Sequence, residues 1–208
     1  MTEAAAESLT AHVAKLQERI TAARRAGDPV ALLATAEAAA TEIERHAGEG
    51  RNPAEREALI AVRRFTFNAA ADCWPGWSVT DAPPDEHTLR RARELAKRSA
   101  VLVNKLGLGR VQEGTGIWLL GAFELALGRH SEAYSAFALA REHYIAARAP
   151  GLAMLTEGYI ALVCQIAGHQ VPACGEDLDQ VCARIATGGF EDGAEWIEQL
   201  RTARKAFT

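Results

Sequence analysis

Two glutamates set in apolar surroundings, Glu124 and Glu157, are the residues of this chain whose type and placement best suit acid–base chemistry. Each interrupts a run of small and aliphatic residues, 117–127 and 153–167, so each carboxylate needs a shared proton, a cation or a basic ligand to offset its burial. Two such groups facing one cavity would make a small-molecule sensor or an enzyme. The competing expectation is an ion pair with an internal arginine, Arg63, Arg64 or Arg110, because buried charges are ordinarily compensated. His169, Cys174 and Cys182, with His130 or His143, are metal-ligating types. Their spacings match no short-spacer pair of a zinc site, so no metal is expected. No Gly-rich phosphate loop and no nucleophile elbow follows a strand, so no cofactor and no catalytic residue is assigned.

Asn68 and Asp72 lie one turn apart just before Trp74 and Trp77. They form either a polar–aromatic patch for a ligand or peptide, or hydrogen bonds to the segment 74–84 while the tryptophans seal a seam. Arg90, Arg91, Arg93, Lys97 and Arg98 are the one dense basic cluster. No aromatic residues interleave with them as a stacking platform would require, so a solvated outer face is expected.

The elements that must position these residues are helices. Ala, Leu, Glu and Arg abound and β-branched residues are few, which favours helix almost throughout. Leu9, Val13, Leu16 and Ile20 give the first helix one apolar stripe. Gly27-Asp28-Pro29 ends that helix and caps the next, and Asn52-Pro53 starts a third. About nine helices follow from such signals, as antiparallel pairs over 3–47, 53–106, 111–147 and 151–186, the eighth starting near Pro172, with a last helix at 190–207. Gly128 ends one central helix in the left-handed conformation that glycine adopts without a Cβ penalty, and Ser131 is placed to cap the next. On that next helix Ala133, Phe137 and Ala140 form one stripe.

Leu120, Gly121, Gly128, Ala133, Phe137 and Ala140 stand at the spacings of the tetratricopeptide (TPR) motif, and the stretch 114–147 resembles one repeat of that family. Glu124 occupies the position of the family's first-helix tyrosine, and Ile145 that of its terminal proline. The resemblance covers this stretch strongly and the remainder weakly. It implies a single all-α domain over 1–208, its pairs stacked as a TPR-like right-handed array closed by the C-terminal helix. It also implies a surface lined by the first helix of each pair, which in this family binds a peptide or partner segment. Carried onto the matched repeat, that surface takes Thr115, Trp118, Leu119, Ala122 and Leu125, with Glu124, Asn68 and Glu157 beside it.

With 208 residues the chain is long enough to bury a core, and its net charge of −4 argues against a general nucleic-acid binder. The start has no basic leader, and no unbroken apolar run reaches the length of a membrane span, so no membrane partner and a cytoplasmic location are expected. In that compartment Cys73, Cys164, Cys174 and Cys182 are expected to remain thiols. The expected function is a non-enzymatic scaffold that holds a protein or peptide partner in an apolar groove. The alternatives are a sensor or enzyme with a buried cavity near Glu124 and Glu157, and a homodimer made through the apolar faces.

Overall fold

The computed structural model describes residues 3–77, 82–172 and 174–208, and these are helical with no strand among them. Nine helices are described: α1 (Glu3–Arg25), α2 (Pro29–Ala47), α3 (Pro53–Ala71), α4 (Glu86–Leu106), α5 (Arg110–Ala126), α6 (His130–Ala146), α7 (Pro150–Ala167), α8 (Leu178–Thr187) and α9 (Gly193–Phe207). Helices adjacent in sequence pack as pairs. The chain divides into two compact units, Met1–Cys73 with Arg90–Leu108, and Trp74–Leu89 with Gly109–Thr208.

In the first unit, local signals set the helix starts. The Asp28 carboxylate accepts from the amides of Val30 and Ala31, and the Asn52 side chain accepts from the amide of Glu55. Both caps satisfy amides that no helical carbonyl can reach. Leu9, Leu16 and Ile20 of α1 and Leu32, Leu33, Ala36, Ala40 and Ile43 of α2 are buried, as their helical spacing predicts.

The basic cluster departs from expectation. Arg91 Nη2 lies 2.8 Å from Glu37 Oε2, and Arg98 Nη2 lies 2.8 Å from Glu44 Oε2. Both partners are seven residues apart on their own helix, so one stripe of α4 meets one stripe of α2 with the helices parallel. Two of the arginines expected to face only solvent therefore clamp the unit together. Asp72 pairs with Arg24 at 2.5 Å. Residues 78–81, within the segment proposed to bond Asn68 and Asp72, lie outside the described residues.

In the second unit, glycines at heptad spacing let helices approach. A Cβ on Gly121 would stand 3.0 Å from Ala136 Cβ and 3.1 Å from the Phe137 ring, and one on Gly114 would stand 3.0 Å from the Tyr144 ring. The residues that face Gly121 are thus Ala136 and Phe137. Gly151 and Gly158 of α7 admit Trp196 and Leu200 of α9 by the same device. By length and composition α7 would suffice to cross a membrane, unlike the expectation from unbroken runs. Here Tyr159, Leu162 and Val163 are fully buried within the chain.

Two local expectations are corrected. Ser131 does not cap α6, whose N-cap is Arg129; its hydroxyl donates to Gln170 O at 3.2 Å. Helix α8 begins at Leu178 and not near Pro172, because Asp177 and Gln180 bond each other's backbone amides in a capping box. The cysteines differ too. Cys164 and Cys174 are joined as a disulfide, while Cys73 and Cys182 are free and buried.

Candidate functional site

Helix α5 was expected to offer its side chains to a partner. Instead Trp118, Leu119, Ala122, Glu124 and Leu125 are all buried. The cover comes from the chain itself. Trp118 lies edge-on to Trp74 and Tyr159, with ring centroids 5.6 and 5.1 Å apart, and 6.3 Å from Phe137. Trp74 Nε1 donates to Ala122 O at 2.8 Å, fixing its indole on α5. Thr115 is half-buried and accepts from Tyr144 OH at 3.0 Å. A helix apolar on every side needs cover on every side, and these rings supply it. The apolar docking groove on α5 is therefore closed. Asn68 is exposed and belongs to the other unit.

The two glutamates are both paired with arginine, which removes the pair of uncompensated carboxylates that the sensor or enzyme reading required. Glu124 Oε2 lies 3.2 Å from Arg129 Nη1. This partner is none of the three proposed. The helix-ending turn folds Arg129 back, its amide donating to Glu124 O at 2.8 Å, so side chain and backbone meet the same residue.

Glu157 lies on the wall of an open cleft of about 360 Å³ between α6, α7 and the segment leading into α8. Ala138, Ile160, Ala161 and Val181 make its apolar floor. Tyr134, Arg141 and Glu142 come from α6, and Cys174, Gly175 and Glu176 form the opposite wall. Arg141 donates through Nε and Nη2 to Glu157 Oε1, at 2.8 and 2.6 Å. Arg184 Nη1 faces Glu157 Oε2 at 3.3 Å and also pairs with Glu176. Arg141 Nη1 reaches Glu142 Oε1 at 3.4 Å. The hydrogen bond to Glu176 raises the pKa of Arg184 above its ordinary value, against the opposing effect of desolvation. One row of charges thus ties α6, α7 and α8 together beside the cleft.

Three carboxylates, Glu142, Glu157 and Glu176, stand against two guanidiniums, Arg141 and Arg184, leaving a surplus of one negative charge. Glu142 and Glu176 are the more exposed carboxylates, with side chains 68% and 40% accessible. They are therefore available to a second cation. Of the residues singled out from the sequence, Glu157 and Cys174 are in this cleft. The rest of the lining went unnoticed because it comes from three separate stretches, none of which forms a motif.

No group of three or more His, Cys, Asp and Glu side chains among the described residues has the geometry to hold a metal ion. Comparison of the chain with protein-family models, with curated proteins and with solved structures finds no match.

Proposed function

We propose that this chain is a TPR-like interaction scaffold, and that the α6–α7–α8 cleft holds a partner polypeptide by a lysine or arginine side chain. The observation that carries this reading is the pairing of an apolar floor with an acidic rim. A lysine or arginine has an aliphatic stem to cover Ala138, Ile160 and Val181 and a cationic head to meet Glu142 or Glu176. The Tyr134 ring at the same mouth adds a face that attracts a cation. The TPR-like part of the proposal draws support from the stretch 114–147 and from the glycine-mediated approach of α5 to α6. Parallel α2 and α4, the second helices of successive pairs, fit the same right-handed stacking.

A fluorescein-labelled octapeptide library with a fixed central Lys, Arg, Glu or Leu tests the reading on the full chain. Retained peptides should carry Lys or Arg, and their affinity should fall with added salt because the rim charges are screened. The Glu142→Gln/Glu176→Gln variant should weaken binding by roughly tenfold, the size of one or two solvent-exposed ion pairs. Selection of acidic or purely apolar peptides, or of none, would overturn it.

A further inference from the structure

The Cys164–Cys174 disulfide fastens one wall of the cleft to its floor helix. Cys164 sits near the end of α7, and Cys174 lines the cleft beside Gly175 and Glu176, with Cα atoms 6.2 Å apart. Between the end of α7 and the start of α8 the chain has only a short 3-10 turn, Gly168–Gln170, as regular structure among its described residues. Side-chain contacts hold it elsewhere: the Ser131 hydroxyl bonds Gln170 O, His130 Nδ1 lies 3.3 Å from Gln170 Oε1, Glu176 pairs with Arg184, and Val171 is buried. Both bonded cysteines are partly exposed, whereas Cys73 and Cys182 are buried. A small dithiol can therefore reach the bond between them.

We infer that Cys164–Cys174 is a redox switch on the cleft: the disulfide form holds the wall in place for ligand, and reduction releases it. The reductant is a dithiol. One of its thiolates attacks a sulfur of the bond, the mixed disulfide is resolved by its second thiol, and the dithiol leaves as its own disulfide. Two electrons and two protons end on the Cys164 and Cys174 thiols, and reoxidation by a small-molecule disulfide reverses the exchange. Freed from α7, the wall carries Glu176 away from Arg184 and removes one acidic group from the rim. The ligand readout rests on the cleft proposed above; the behaviour of the wall does not.

The test compares the oxidised chain, the chain reduced with dithiothreitol, and the Cys164→Ser/Cys174→Ser variant. Amide exchange at 174–177 should quicken by roughly tenfold or more on reduction and in the variant, with α6 unchanged. Affinity for the best lysine-bearing octapeptide should fall roughly tenfold in parallel and recover on reoxidation with glutathione disulfide. Equal exchange in all three forms overturns the switch, as does equal affinity for a peptide that binds. Should no peptide bind any form while exchange still differs, the ligand reading fails and the redox release of the wall stands.

Discussion

Gly128 and Arg148 occupy the same place in the turns that end α5 and α6, with φ of +70° and +56°. In each turn the next amide reaches back to the helix: Arg129 donates to Glu124 O at 2.8 Å and Ala149 to Tyr144 O at 2.9 Å. Glycine adopts this left-handed backbone freely, while arginine meets its own Cβ. Arg148→Gly should therefore stabilise the fold by about 0.5–1 kcal/mol, the steric relief less the extra freedom of an unfolded glycine. Gly128→Ala should cost about 1 kcal/mol. Urea unfolding of both variants checks the opposite signs.

Gly158 faces Leu200, and an added Cβ would stand 2.5 Å from Leu200 Cδ1. Leu200 is fully buried, so it has little room to yield. Gly158→Ala should destabilise by about 1–2 kcal/mol, the overpacking cost outweighing the gain of about 1 kcal/mol from helix propensity. In a Leu200→Ala background the clash is gone, and the same change should become stabilising by about 0.5–1 kcal/mol. A double-mutant cycle in denaturant measures the reversal.

How much was legible follows from how local each signal was. Asp28-Pro29, Asn52-Pro53 and Gly128 act within one turn of chain, and each performs its expected task. Pro172 is a false start because the reciprocal Asp177–Gln180 cap, whose first residue lies five positions on, begins α8. The apolar circumference of α5 showed that it needed cover on every side. The sequence did not show that Trp74, Phe137 and Tyr159 supply that cover, since they come from distant stretches. Arg129 escaped notice as the partner of Glu124 because the pairing depends on a turn reversing the chain. The ten-residue separation of Cys164 and Cys174 likewise becomes a short distance only once the chain folds back on α7.

Trp74 and Trp118 differ in one respect that substitution can read. The Trp74 indole donates to Ala122 O, while the buried Trp118 Nε1 has no acceptor among the described residues. Trp74→Phe removes a made hydrogen bond and leaves a buried carbonyl to compensate. Trp118→Phe removes a donor that was already unsatisfied. The first should cost about 1–2 kcal/mol more than the second, although both lose similar apolar area. Thermal or chemical denaturation of the pair decides it, and equal losses would contradict the role given to the Ala122 bond.

Burial, followed by the neighbouring Asp72 charge, pushes the Cys73 thiol up to about 11, from 9.0 for the free group. Above pH 9 the unfolded chain releases this proton and the native chain keeps it. The contribution is therefore whole below about pH 9 and is lost as pH rises towards 11. Across that window the slope from this group approaches about 1.4 kcal/mol per pH unit. Cys73→Ala should flatten the decline by that amount, measured as unfolding free energy at successive pH values. Cys73 should also resist thiol reagents until the chain unfolds.

The central claim places recognition in the α6–α7–α8 cleft and takes it away from α5. The most direct measurement is a titration of the oxidised, 15N-labelled full chain with the strongest lysine-bearing octapeptide, followed by amide shifts. The account predicts changes centred on Tyr134, Ala138, Ile160 and Gly175, with Trp118, Leu119 and Leu125 unmoved. Shifts centred on those three α5 residues, or a saturating titration that leaves the cleft residues unmoved, would contradict it.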